Sequence, residues 1–419
     1  MTREPSPTDI VISGYDLVCP LGTERESVLD AFFDGKSGID WITRYTVAES
    51  DEVRVSGEVP KIRYDEYPFW NERDTGNWFS PVIFHSMLTA YRALIHAGFE
   101  INDGNAHRVA TTFSSAIGGL DAMIDAVSKT EAGKLPHPFT NPNGCLNLVA
   151  GKISILTGAK GPIFSPVAAC ATGAASIASA AMLLRSGQAD TVIAGACDFP
   201  VIRSLLASFA SMNGAFRSRK PDDRGAEDPT KISRPFSADR KGFVVSEGSA
   251  AFLVTTRGYA DAHGLPIRAV VEGIGMTSDA KHYVAPSLPT IITCMQQAVA
   301  SAGRDASEIE VVNAHAASTG VGDGVEAQAL HTVFGDRPIP ICANKSQIGH
   351  TMGASSAVEL ILAVEGIRRG RILPVLNFEP DTKLPSLSAA SKTREGTHNL
   401  VLSNSFGFGG CNVCLVVSA

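Results

Sequence analysis

Apolar and polar positions follow two rhythms along this chain. Short aliphatic and β-branched runs read as buried strands, and longer stretches with apolar residues at helical spacing read as amphipathic helices. The strand-like runs are 9–13 (DIVIS), 109–114 (VATTFS), 190–196 (DTVIAGA), 242–255, 267–276 and 310–313. Helical spacing covers 25–34 (RESVLDAFFD), 80–97, 146–156 and 171–185 (ATGAASIASAAMLLR). Loops are expected at 17–22 and, from its Pro and Asn content, at 134–143. The stretch from Trp41 to Trp78 shows neither rhythm and is expected to be a surface insertion. Residues 217–235 (RSRKPDDRGAEDPTKISRP) are dense in charge, Pro and Gly, and read as a flexible loop between two halves. Strands alternating with helices predict an α/β fold with central sheets.

One internal similarity sharpens this. The segment 172–187 (TGAASIASAAMLLRSG) has an echo in 352–370 (MGASSAVELILAVEGIRRG), with Gly173, Ala174 and Ser176 matching Gly353, Ala354 and Ser356. Chance similarity of two alanine-rich helices is the plain alternative to a duplicated architecture.

Composition then narrows the class. A chain of 419 residues, 44% hydrophobic, is long enough for roughly two or three domain-sized units. A net charge of -7 leaves no basic footprint for nucleic acid. No apolar run reaches the ~18 residues of a membrane span. The start, MTREPSPTDI, lacks the apolar core of a secretory signal, so a cytoplasmic protein with reduced thiols is expected. Cys411 and Cys414 form a C-x-x-C inside a strand-like run, and no second pair or His cluster completes a metal site.

Candidate chemistry gathers at strand-to-helix junctions. Cys170 stands where the 171–185 helix begins. Free N–H groups and the helix dipole there favour negative charge, which lowers a thiol pKa and populates the thiolate. The alternative is a small apolar residue packed at a junction. His315 ends the run 310–315 (EVVNAH), and His350 ends 344–350 (NKSQIGH), at the mouth of the echo helix. Lys345 lies five residues before the second histidine. The turn 404–410 (NSFGFGG) carries three glycines, a composition that suits positive φ and N–H groups turned toward a ligand. A phosphate cradle is its rival, but no Walker or dinucleotide-binding pattern accompanies it.

Taken together, these motifs resemble β-ketoacyl-acyl-carrier-protein synthases, closest in pattern to type II elongating synthases and their polyketide ketosynthase relatives. The residues are Ala169-Cys170-Ala-Thr-Gly, Asn313-Ala-His315-x-x-Ser-Thr, Gly322-Asp323-x-x-Glu326, Asn344-Lys345-Ser to Gly349-His350, and Asn404 to Gly410, with supporting blocks along nearly the whole chain. The resemblance implies a thiolase-like fold, duplicated in five layers αβαβα, with halves at 1–256 and 257–419. It implies Cys170 as the acyl-carrying nucleophile, with the N–H groups of Cys170 and Phe406 as oxyanion hole and Phe406-Gly407 as gate. His315 and His350 would stabilise the enolate of malonyl thioester after loss of carbon dioxide. Lys345 would support them, paired with Glu359 or secondarily Glu326. Thr319 would serve the pantetheine arm and Ile117 would line the acyl pocket. No metal or organic cofactor is implied. The implied partner is acyl carrier protein, and the assembly a homodimer, or a heterodimer with a chain-length-factor-like subunit.

Departures mark the chain. His315-Ala316-Ala317-Ser318-Thr319 stands where relatives usually have His-Gly-Thr-Ser-Thr, so the hydroxyl at Ala317 is missing. Ala168 and Ser246 are also atypical. The alternatives are an acyl-CoA-primed thiolase-superfamily acyltransferase, a non-catalytic partner subunit and a Cys-His hydrolase. A second histidine preceded by glycine argues against the first, Cys170 against the second, and the paired lysine against the third.

Overall fold

The computed structural model describes residues 4–217 and 228–419. Ten positions of the predicted 217–235 loop, 218–227, lie outside the described residues. The main sheet has eleven strands, labelled in chain order. These are β1 (Ile10–Val18), β2 (Val109–Ser114), β3 (Ile163–Phe164), β4 (Thr191–Asp198), β5 (Gly248–Thr256), β6 (Ala269–Ser278), β7 (Val311–Asn313), β8 (Pro340–Cys342), β9 (Ser388–Ala389), β10 (Leu400–Gly407) and β11 (Cys411–Ser418).

Strand order exposes a repeat. From the middle outward, one side runs β1-β5-β4-β2-β3 and the other β6-β11-β10-β7-β8, with β9 added at the far edge. In each set the first strand meets the fifth antiparallel, the fifth meets the fourth antiparallel, and the remaining pairs are parallel. The two sets join where Ile10–Ile12 of β1 pairs with Ala269–Val271 of β6. Helices repeat as well: α1 (Pro81–Ala97), α2 (Asn147–Thr157) and α3 (Thr172–Arg185) in the first set match α4 (Leu288–Ser301), α5 (Gly322–Phe334) and α6 (Ser355–Arg369) in the second.

Three apolar clusters sort these elements into the five αβαβα layers. One packs α1 and α2 on the first set of strands, one packs α4 and α5 on the second, and the largest holds α3 and α6 against both. A helix buried on every side must be small or apolar all round, which is why α3 and α6 read as they do. Gly173 of α3 has no room for a side chain: a Cβ there would lie 2.6 Å from Ala357 of α6, and the Ala174 N–H donates to Ser356 Oγ at 3.0 Å.

The structure corrects the register of the echo. Ala169 and Met352 both hold left-handed φ, 48° and 47°. Each opens a short 3-10 turn, Ala169–Ala171 and Met352–Ala354, that runs into α3 and α6. Cys170 therefore corresponds to Gly353, and Gly173 to Ser356; the match read by composition was slipped by three residues. Two further expectations change. β1 runs through Val18, past the predicted end at 13, because Gly14 lets it press against Ala97 of α1. The 41–78 stretch is partly core: Val59 and Trp70 are buried, and Tyr64 stacks on Phe84 at 3.8 Å. The predicted 134–143 loop also gives way to a short helix at Thr140–Gly144.

Two glycines separate packing from backbone freedom. Gly173→Ala is expected to destabilise the fold by about 1–3 kcal/mol through overpacking. Gly151→Ala, in α2 with no atom within 4 Å of the added Cβ, is expected to be neutral or stabilising by up to ~1 kcal/mol. Denaturant unfolding of both variants checks the opposite signs.

Candidate active site

Both echo turns open on one cavity of about 520 Å³, lined by Cys170, His315, His350, Ile117, Phe406 and Phe408, with Gly407, Ala317 and Thr319 also on its wall. Cys170 sits just past the strained Ala169. The turn is tied by Thr172, whose Oγ1 donates to Ala169 O at 2.7 Å and accepts from the Ala168 N–H at 3.0 Å. Gly407 is what lets the gate turn approach: a Cβ there would overlap Ala168 O and lie 3.2 Å from the Cys170 nitrogen.

The Phe408 N–H pulls the Cys170 thiol down, together with the N–H of Cys170 itself. This makes Phe408 a candidate oxyanion donor beside the expected Phe406. Phe406 is still in β10, opposite Asn412 of β11, and its ring lies 5.8 Å from that of His315. Only beyond Gly407 does the chain leave the strand and turn its N–H toward sulfur. The thiol itself also departs from expectation. Burial pushes it up to about 11, against the pull of the Lys345 ammonium and the Phe408 N–H. Desolvation outweighs the helix start, so the resting nucleophile is a thiol.

The histidines are set by opposite means. His350 is clamped through its backbone, donating to Val244 O at 2.7 Å and accepting from the Ser246 N–H at 2.9 Å. Its Nδ1 meets Ser355 Oγ at 2.9 Å, leaving Nε2 for the cavity. His315 follows β7, and its ring meets that of His350 edge-on at 5.6 Å. Both imidazoles are held well below their ordinary pKa, by burial first and then by Lys345; for His315 the neighbouring His350 adds to this. They are neutral near pH 7.

Lys345 lies behind them, fully buried. Its Nζ donates to Glu359 Oε1 at 2.5 Å and to His315 O at 2.7 Å. Glu359 is thus the lysine's partner, as expected. Glu326 has a different job. Its carboxylate accepts from the N–H groups of His315 and Ala316, at 2.9 and 2.7 Å, and from Asn404 Nδ2 at 3.1 Å. That fixes the His315 loop, where Ala316 and Ser318 hold positive φ of 27° and 67°. Thr319, on the cavity wall, accepts from the Gly322 N–H at 3.1 Å through its hydroxyl, which also faces Asp323. Asp323, quoted in the sequence motif without a role, accepts from the N–H groups of Phe236 and Thr319 at 2.8 and 2.9 Å. Sequence reasoning missed Phe408 and the buried Asp198; the adjoining Gly407 was a signal for the first, and nothing marked the second. Among the described residues no group of three His, Cys, Asp or Glu is placed to hold a metal, and no helix is long and apolar enough to cross a membrane.

A buried cysteine, two neutral histidines and a buried lysine gathered in a duplicated thiolase-like fold are a set that suits an acyl-transferring condensing enzyme. The family description "Beta-ketoacyl synthase, N-terminal domain" matches residues 8–260, and "Beta-ketoacyl synthase, C-terminal domain" matches 268–379. The chain belongs to the β-ketoacyl synthase family. It is 34% identical to 3-oxoacyl-[acyl-carrier-protein] synthase 2 of Rhizobium meliloti (strain 1021), over 97% of this chain and 98% of that one. Among solved structures, a β-ketoacyl synthase from Burkholderia phymatum STM815 superposes with TM-score 0.89 at 28% identity, covering 98% of this chain and 99% of that one. The ishigamide ketosynthase/chain length factor superposes with TM-score 0.87 at 26% identity, covering 98% and 99%. The activity is acyl-transferring condensation in fatty-acid or polyketide chain elongation.

Glu326 gives a pH signature. Burial raises its carboxyl from 4.5 to about 7. The folded state then binds this proton more tightly than the unfolded chain, so its contribution to stability falls as pH rises from about 4.5 to 7. Glu326→Gln cannot titrate and is expected to lose that slope. It should also lower stability by about 1–3 kcal/mol, because its NH₂ faces one of the backbone donors. Chemical denaturation at several pH values measures both.

Proposed function

We propose that the protein, working in the cytoplasm, takes an acyl group from acyl carrier protein onto Cys170 and condenses it with malonyl-acyl carrier protein. The supporting observation is the convergence of the Cys170 thiol, the Phe408 N–H and two neutral imidazoles on one cavity. In the first half-reaction sulfur attacks the acyl thioester, and the thiol proton leaves with the pantetheine thiol. A neutral imidazole is the relay, so no standing thiolate is required. The Cys170 and Phe408 N–H groups stabilise the oxyanion.

In the second half-reaction the malonyl carboxylate leaves as carbon dioxide. The electron pair stays on the α-carbon, and the enolate oxygen is held by His315 and His350 acting as donors. That carbanion attacks the acyl-Cys170 thioester; the cysteine sulfur leaves as thiolate and takes up one proton from solvent water, and the product is a β-ketoacyl thioester on the carrier. Burial keeps both imidazoles neutral, Lys345 adds to it, and its ammonium braces His315 through the carbonyl. No metal or organic cofactor takes part in this scheme. The halves are divided at 256/257: the first supplies the nucleophile and Ile117 at the acyl pocket, the second the histidines and the gate.

The assembly we propose is a dimer through the sheet edge at β3. Ile163, Phe164 and Val167 there are 45%, 50% and 48% exposed. An apolar unpaired edge invites strand pairing. Phe164→Asp is expected to convert a dimer of the purified chain to monomer in sedimentation analysis. A wild-type chain that sediments as monomer assigns the partner instead to a chain-length-factor-like sister subunit.

The reaction is tested by mass spectrometry of the intact protein after incubation with acyl-carrier-protein thioesters. Cys170→Ala is expected to lose the acyl adduct and retain malonyl decarboxylation. His350→Ala is expected to keep the adduct and lose decarboxylation by a factor of roughly 10²–10³, the size of removing one preorganised donor. An adduct on another cysteine, or wild-type decarboxylation without His350, overturns the assignment.

A further inference from the structure

Asp198 is the buried carboxylate that bridges the two halves beside the cavity. It ends β4, is fully buried, and no salt bridge reaches it among the described residues. Four donors satisfy it. Oδ1 accepts from the Ser115 hydroxyl and from the Ile117 N–H at 2.9 Å; Oδ2 accepts from the Ala116 N–H at 3.1 Å and the Gly353 N–H at 2.7 Å. Three donors thus come from the turn that presents Ile117 to the cavity. The fourth comes from the turn that follows His350 in the other half.

That arrangement leaves no slack. Gly353 has no space for a side chain, since a Cβ there would lie 2.7 Å from Asp198 Oδ2, 3.0 Å from Thr172 Cβ and 3.1 Å from Ala116 Cβ. Ser115 Oγ accepts in turn from the Gly118 N–H at 2.6 Å, closing the Ile117 turn on itself. Ile117 packs against the cluster that contains Met352 and Phe243, and the Phe243 ring meets His350 edge-on at 5.6 Å. The turn that carries Ile117 and the turn that follows His350 therefore hang from the same carboxylate.

We propose that Asp198 is a positioning residue for acyl-chain selection, holding the Ile117 turn in register with the Gly353 turn so that a chain displacing Ile117 must work against both. The inference rests on the condensing-enzyme reading above. An acyl chain that fits without moving Ile117 leaves the four hydrogen bonds intact; a longer one strains them.

Asp198→Asn keeps the size but offers one acceptor oxygen, so either the Ser115/Ile117 pair or the Ala116/Gly353 pair faces an NH₂. The test is Cys170 acylation by a series of acyl-carrier-protein thioesters from short to long, read by mass spectrometry, with kcat and KM for malonyl thioester measured separately. Asp198→Asn is expected to change the long-to-short acylation ratio by roughly tenfold, about the effect of one lost hydrogen bond. Ser115→Ala, which keeps the carboxylate, is expected to shift the ratio in the same direction by less, and serves as the test if Asp198→Asn does not fold. A rate that falls evenly across the series, alongside a lower melting temperature, overturns the proposal and makes Asp198 purely structural. Absence of any acyl adduct in the wild-type protein would instead sink the condensing-enzyme reading.

Discussion

The close crossing of α3 and α6 is the contact on which the rest depends. Two helices can lie between two sheets only if their facing side chains are very small, and Gly173 against Ala357 meets that demand with no space left over. Because both helices start from the same left-handed elbow, the crossing also brings the two elbows together. Cys170 and the turn after His350 are neighbours for that reason, although nearly half the chain separates them.

Electrostatics follow from the same burial. A site enclosed this way cannot hold many free charges, because removing an ion from water is expensive unless a partner or several donors receive it. Lys345 is matched by Glu359, while Glu326, Asp198 and Asp323 are matched by backbone N–H groups. The thiol and the imidazoles that face the cavity are neutral, while Asp279 and Asp323 bring carboxyl groups to its wall.

Much of this was legible in the sequence, and the failures have definite causes. Chemistry-bearing residues at strand-to-helix junctions were readable because small residues must surround them, so Cys170, His315, His350 and Lys345 stood out. The pairing of Lys345 with Glu359 came from the family resemblance, which left Glu326 as a second candidate. Phe408 was missed beside Phe406 because a glycine-rich turn does not state where its strand ends, and a shift of two residues keeps the same side chain. The slipped echo has a similar origin: alanine-rich helices match at several offsets, and only the left-handed φ at Ala169 and Met352 picks one. Asp198 carried no signal at all. Three of its four partners are backbone N–H groups, which every sequence supplies and none advertises. The aromatic stretch around Trp70 was misread as surface because it packs through rings at irregular spacing.

The seam between the two sets of strands bears on how the chain is made. β1 precedes the other ten strands of the sheet in the chain, yet it sits at the middle, pairing with Gly248–Thr256 on one side and with Ala269–Val271 on the other. Neither neighbour exists until well over half of the polypeptide has been produced. Until then a strand that is buried along its whole length has no edge to join, and the loop to be closed is long, which slows folding and exposes sticky surface. A nascent chain of this design must shelter its N-terminal strand, on α1 or on a chaperone, until the second half arrives.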